Sequence, residues 1–343
     1  MIKPEEHKIR RAIVSVSDKT GIVEFCKSLK EFNIEIFSTG GTAKTLQSNG
    51  IEVKSISEIT GFPEILDGRV KTLHPAIHAG ILADLGKIEH QQQLESQQFT
   101  SIDLLVVNLY PFEETLHNEH ATHEELIENI DIGGPTMLRA AAKNYKWTLP
   151  VINPKRYDEL IDILKKNDCT VPLKYRSVLA GEVFSFTAYY DSLIADYLNK
   201  YNQVDIPEKV TIPINKEIDL RYGENPHQKA ALLGNFSSLF TKFHGKELSY
   251  NNIIDINAAV QLILEFDEPT CAIIKHTNPC GVASANNLTD AYNRAFETDT
   301  VSPFGGIICF NRKVDFDTAV AFHDIFTELI IAPDFSNDAL DLL

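Results

Sequence analysis

Lys275 and His276 stand side by side after an apolar run, Cys271-Ala272-Ile273-Ile274. Such a run reads as a buried strand, with Asn278-Pro279 and Gly281 as a turn beyond it. A lysine beside a histidine at that point offers a positive charge and a group that exchanges a proton near neutral pH. The plain alternative is a solvated pair at a strand end. Two irregular segments accompany the pair: Arg221-Tyr222-Gly223-Glu224-Asn225-Pro226-His227-Gln228 upstream and Ser302-Pro303-Phe304-Gly305-Gly306 downstream.

A second group lies in the first 143 positions. Ser15-Val16-Ser17-Asp18-Lys19-Thr20-Gly21 follows an apolar run, and Ser38-Thr39-Gly40-Gly41-Thr42 follows another. Small hydroxyls, glycines and a lysine between a strand and a helix suit a phosphate, because the helix N-terminus presents N–H groups and a favourable dipole. A simple helix cap by Ser17 or Asp18 is the competing reading. Gly68-Arg69-Val70-Lys71-Thr72-Leu73-His74-Pro75 concentrates positive charge; Asn108-Leu109-Tyr110-Pro111-Phe112 ends an apolar run with a phenol; and Asp131-Ile132-Gly133-Gly134-Pro135-Thr136 sets a carboxylate before a helix. Arg139 and Lys143 share a face of that helix, being four residues apart. Taken singly, these read equally as a solvated loop, a core aromatic and a surface helix.

The elements that must position these residues alternate from Arg11 to about Asn153. Strands are expected at Ala12 to Val16, Ile34 to Phe37, Ile102 to Leu109 and Leu149 to Ile152; the third, almost wholly apolar, belongs inside the sheet. Helices are expected at Ile22 to Leu29, Thr42 to Ser48 and Pro135 to Lys143. This alternation predicts a parallel α/β sheet whose ligands bind outside the C-terminal strand ends. Leu173 to Tyr201 reads as one long helix and residues 202–215 as a linker. Beyond it, helices at Ile256 to Phe266 and Leu288 to Phe296 mix with strands at Cys271 to Ile274 and Ile307 to Phe310.

Bulk properties limit the partners. The 343 residues suffice for two domains, and a net charge of −16 argues against a nucleic-acid or membrane binder. The five cysteines are widely spaced with no C-x-x-C pair, which fits a reduced, cytoplasmic protein. Pro279-Cys280 matches half of the P-C-x-x-C signature of zinc deaminases, but Ala283 stands where the second cysteine belongs, so no metal is expected.

Together the segments at 221–228, 274–281 and 302–306 resemble the PurH family of bifunctional purine biosynthesis proteins, which combine AICAR transformylase and IMP cyclohydrolase. The resemblance runs from about Arg11 to the last residue. It implies a methylglyoxal-synthase-like cyclohydrolase domain over 1–201, a linker over 202–215, and over 216–343 the first part of a cytidine-deaminase-like transformylase domain. Because the family continues further, this chain is expected to be C-terminally incomplete, with cyclisation surviving better than formyl transfer and with Leu329 to Ala332 exposed.

The resemblance further implies cyclisation of FAICAR to IMP by Lys71, Tyr110, Asp131 and Lys143, with ligand contacts at Ser15, Ser17, Lys19, Thr39, Gly40, Gly41, Arg69 and Thr72. It implies formyl transfer from 10-formyltetrahydrofolate to AICAR by Lys275 and His276, with contacts at Arg221, Tyr222, Asn252, Phe304, Gly305 and Glu328. A cytoplasmic homodimer with no bound cofactor goes with it. The alternative is a phosphometabolite-binding regulatory module of the same N-terminal fold, which would need cations but no acid–base set.

Overall fold

The computed structural model describes residues 3–66 and 69–343. Asp67 and Gly68, the second of which opens the Arg69 segment, lie outside the described residues. The chain divides into two compact units, Met1–Pro213 and Ile214–Leu343.

In the first unit, β1 (Arg11–Ser15), β2 (Glu35–Ser38), β3 (Lys54–Ser55), β4 (Leu104–Val107) and β5 (Leu149–Val151) form a sheet of order β3-β2-β1-β4-β5. Every pairing is parallel. Alternation along each strand sends side chains to two separate cores. Ala12, Val14, Leu104 and Val106 pack with Phe25, Leu29 and Leu160, whereas Ile13, Leu105 and Val107 pack with Ile77, Leu138 and Val183. Helices therefore cover both faces, which is why β4 reads as an unbroken apolar run. The chain leaves β1 towards β2 on one side and returns through β4 on the other. The crevice between their C-terminal ends is the place where an open α/β sheet takes a ligand.

The helix Leu173–Tyr201 has the bounds expected from the sequence and buries Leu179, Val183, Tyr190 and Leu193. Arg176 is wholly buried on it and donates to the carbonyls of Val171 at 3.0 Å and His7 at 3.2 Å. A buried guanidinium without such acceptors would be costly; here it ties the N-terminal segment to the helix.

The second unit holds an antiparallel pair, β6 (Lys216–Leu220) with β7 (Ala230–Leu233), and a mixed sheet of order β11-β10-β8-β9. The latter comprises β8 (Thr270–Lys275), β9 (Asn278–Ser284), β10 (Ile307–Phe310) and β11 (Leu329–Ile331). The helix Tyr250–Ile263 packs Ala259 and Ile263 on one face, against Ala272 and Ile274. The helix Leu288–Thr298 packs Ala291 and Tyr292 on the other, against Cys271 and Ile273.

Three expectations are corrected here. Asn278, Pro279 and Gly281 are not a turn but part of β9, an edge strand, where a proline removes no inner ladder bond. Gly281 is required by close packing, since a Cβ there would overlap the Ala295 carbonyl oxygen. The actual turn is His276-Thr277, whose φ angles of 52° and 64° make a two-residue hairpin of left-handed residues. The helix expected from Ile256 starts at Tyr250, because Ser249 and Asn252 form a reciprocal capping box. Leu329 to Ala332 is half-buried, not exposed: β11 pairs with β10, and Leu329 and Ile331 pack beside Leu220, Leu248 and Ile256.

Candidate active sites

At the β1 end, the chain turns through Ser17 and Asp18 under the side chain of Asn108. The Asn108 carboxamide accepts from the N–H groups of Ser17 at 2.6 Å and Asp18 at 3.0 Å, and donates to the Asp18 carbonyl at 2.9 Å. Neither Ser17 nor Asp18 caps the next helix, which begins at Ile22 after a left-handed Gly21. Asp18 instead accepts from the Thr20 N–H and hydroxyl, and these bonds hold its carboxyl below the ordinary value. The β1 and β4 loops are thus stitched together by a residue that the sequence reading did not single out.

At the β2 end, Thr39 precedes the helix Gly40–Ser48 with extended backbone and no side-chain cap; its hydroxyl goes to Glu64 at 3.2 Å. Gly40 has φ +51°. The Lys71 ammonium lies 3.7 Å from where a Gly40 Cβ would be, and the Lys19 ammonium 3.9 Å from the same point on Gly41. Two cations therefore flank one helix N-terminus, an arrangement that favours an anion. Lys19 is held there by the carbonyls of Val16 at 3.3 Å and Ser17 at 3.2 Å. Thr42, buried in the first turn of the helix, exchanges both of its hydroxyl bonds with the Val16 backbone, so the β1 and β2 loops keep a fixed spacing. Ser15 is half-buried at the end of β1.

Asp131 joins this cluster from the opposite side. Its carboxylate accepts from the Gly134 N–H at 2.9 Å and also from the backbone of Tyr110. Burial raises its pKa; the N–H donors of Gly134 and Tyr110, then the Lys71 ammonium, pull it back down. The Thr72 hydroxyl sits 2.8 Å from where a Gly133 Cβ would be, which places the Lys71 loop against the same helix start. Tyr110 is 45% exposed, so its phenol faces solvent at the rim while its backbone grips Asp131. Asp131, Tyr110 and Thr72 are therefore neighbours of the anion site that Lys19 and Lys71 flank.

Two expected residues stand apart from this cluster. Arg69 is exposed and ion-paired with Glu128. Lys143 closes the helix Gly133–Lys143, ten residues from its start, which at 1.5 Å per residue is about 15 Å away. It lines a surface groove with Leu82, Arg139, Ala140 and Phe184, the Arg139 guanidinium lying 5.3 Å from the Phe184 ring. Within one chain, the fold does not bring Lys143 to Lys71 and Asp131, because a helix separates its two ends.

The second unit assembles its candidates through one run of hydrogen bonds. Lys275 donates to the Phe304 carbonyl at 2.9 Å, Gly305 N–H to the Phe326 carbonyl at 2.8 Å, and Glu328 N–H to the Gly306 carbonyl at 2.9 Å. The Glu328 carboxylate accepts from Asn252 at 2.9 Å. The Asn252 carboxamide oxygen takes the Ser249 N–H and hydroxyl, both at 2.9 Å, so this buried side chain is engaged at both ends as a cap. Arg221 lies over the ring of Tyr222 at 4.9 Å, and the Tyr222 carbonyl accepts from the Tyr250 N–H at 3.1 Å. His276 is exposed in its left-handed turn, and the Asp255 carboxylate fixes that turn by accepting from the Thr277 N–H at 2.7 Å. Asp255 carried no signal in the sequence: it lies 21 residues before His276 on another element.

Comparison with known proteins gives these arrangements a family. Residues 21–136 match the MGS-like domain and residues 141–343 match the AICARFT/IMPCHase bienzyme family. A bifunctional purine biosynthesis protein PurH from Caldicellulosiruptor bescii is 53% identical over 97% of this chain and 67% of its own length. The PurH of Bacillus subtilis is 52% identical over 98% of this chain and 66% of its own length. A crystal structure of ForH, at 31% identity and TM-score 0.49, covers 55% of this chain and 97% of that one. The chain spans about two thirds of the length of the curated relatives it matches. With an MGS-like parallel sheet followed by the matching second unit, this chain belongs to the AICARFT/IMPCHase bienzyme family.

Proposed function

We propose that the first unit closes the ring of FAICAR to give IMP, and that the second unit takes part in formyl transfer from 10-formyltetrahydrofolate to AICAR. In this reading residues 1–201 are the cyclohydrolase domain, 202–215 the linker, and 216–343 part of the transformylase region. The cytoplasmic location and homodimeric assembly expected from the family go with it. The observation that carries the first half is the meeting of Lys71, Asp131 and Tyr110 beside the Lys19 and Gly40-Gly41 anion site.

Ring closure needs little beyond placement and charge. The nucleotide phosphate sits at the helix N-terminus on the Lys19 side, with the loop hydroxyls of Ser15, Ser17 and Thr39 around it, which leaves Lys71 and Thr72, on the Asp131 side, for the reacting end. The carboxamide nitrogen attacks the formyl carbon, and the resulting oxyanion lies near the Lys71 ammonium, which stabilises it. Asp131, with its pKa raised by burial, and the Tyr110 phenol then move protons off the nitrogen and onto the departing oxygen, which leaves as water. No reductant, oxidant or folate enters this balance. Lys143, at the far end of its helix, is not part of this set.

For formyl transfer, His276 accepts the proton of the attacking amine and Lys275 steadies the negative charge that develops on the formyl oxygen. Arg221 and Tyr222 hold the nucleotide, and Phe304, Gly305 and Glu328 line the approach.

The test is Lys71→Ala assayed with FAICAR. Loss of an oxyanion-stabilising group lowers kcat by roughly 10²–10³. A variant that turns over at the wild-type rate removes Lys71 from the mechanism, and the remaining cluster then has only a binding role.

A further inference from the structure

Tyr190 lies midway along the helix Leu173–Tyr201, is 4% exposed, and has no place in the chemistry above. Its hydroxyl accepts the Asp131 N–H at 2.9 Å and donates to the Asn129 carbonyl at 3.1 Å. Both capacities of one hydroxyl are thus spent on the two peptide groups either side of Ile130, immediately before the candidate carboxylate. Its ring stands edge-on to Phe112, centroids 6.1 Å apart, and the Phe112 N–H donates to the Tyr110 carbonyl at 2.8 Å. The same side chain therefore supports Asp131 through its hydroxyl and Tyr110 through its ring. Burial pushes its phenol pKa up to about 12, so it stays neutral and keeps the proton it donates.

We propose that Tyr190 is a positioning residue for ring closure, locking the backbone at Asp131 and, through Phe112, at Tyr110 onto the long helix. The inference rests on the ring-closure reading. A phenylalanine would fill the same core space, so packing accounts for the ring and not for the hydroxyl. The hydroxyl matters because the Asp131 segment is otherwise a loop between two helices. Its carboxylate must stay aligned with the formyl carbon, and misplacement of a reacting group by about 1 Å can cost on the order of 10²-fold in rate.

The experiment compares four variants of the full 343-residue chain in FAICAR turnover, well below their melting temperatures. Tyr190→Phe keeps the ring and removes the two bonds; kcat falls about tenfold while KM for FAICAR stays within twofold. Phe112→Leu loosens the same support from the ring side and leaves the hydroxyl in place; kcat falls about threefold at unchanged KM. Tyr189→Phe, which removes a neighbouring phenol bonded to Glu113 at 2.5 Å, keeps the wild-type kcat. Lys71→Ala reports on the parent reading. If Tyr190→Phe retains kcat within twofold while Lys71→Ala is crippled, the positioning role is wrong and ring closure stands. Equal losses in Tyr190→Phe and Tyr189→Phe mean general loosening and also overturn it. If Lys71→Ala and Tyr190→Phe both turn over normally, both readings fall.

Discussion

Gly134→Ala separates site geometry from stability more sharply than removal of a charged group. Gly134 is buried in the first turn of the helix Gly133–Lys143. A Cβ built there falls 2.6 Å from Asp131 Oδ2 and 2.7 Å from Leu109 Cδ2, whereas ordinary contact starts at 3.4 Å. The carboxylate must therefore retreat by about 0.8 Å, away from the Tyr110 and Gly134 donors. The helix itself gains up to about 1 kcal/mol from alanine over glycine, and overpacking costs about 1–3 kcal/mol. Net stability therefore falls by no more than about 3 kcal/mol, while a shift of this size at a reacting group lowers turnover by about 10²-fold. Thermal melting and FAICAR turnover read the two effects separately. Gly181→Ala is the matched control, with nothing within 4 Å of its Cβ on the long helix. It should add about 0.5–1 kcal/mol and leave the rate alone. A Gly134→Ala enzyme within threefold of the wild-type rate would refute the view that Asp131 must sit where these contacts hold it.

Two further outcomes follow from the same structure. Thr277 is β-branched yet held at φ 64°, so Thr277→Gly relieves about 1 kcal/mol of backbone strain and raises the melting temperature, even though the bond from its N–H to Asp255 remains; an unchanged or lower melting temperature counts against the strained-turn reading. Burial raises the Asp131 pKa above its unfolded value, so the stability linked to its protonation is complete below the unfolded pKa and is lost as pH rises through the folded one. The gap in melting temperature between Asp131→Asn and wild type should accordingly move in favour of the variant from pH 4 to pH 7, and a gap independent of pH contradicts the buried, charged assignment.

Much of the fold was legible because alternation and apolar runs are local signals. The helix Leu173–Tyr201 and strand Ile307–Phe310 have the bounds that periodicity gives. The two-residue β3 carries too few residues to show a period, and β9 was misread because Asn278-Pro279 looks like a turn when its edge position is unknown. The loops that hold Lys19, Gly40-Gly41 and Tyr110 could be placed together, since all follow parallel strands. The residues that fix them could not. Asn108, Asp255 and Tyr190 act through backbone groups 22 to 91 positions away, on other elements, and nothing in their local sequence sets them apart. Lys143 shows the converse: a motif match carries no information on the helix length that separates it, within one chain, from Asp131.

The most direct measurement is the conversion of FAICAR by this chain in buffer free of folate, followed by the absorbance of IMP and compared with Asp131→Asn. IMP should accumulate catalytically, and the variant should be slower by at least about 10²-fold at unchanged protein fold. FAICAR bound tightly at the two-lysine site with no IMP formed would contradict it and leave that cluster a binding module.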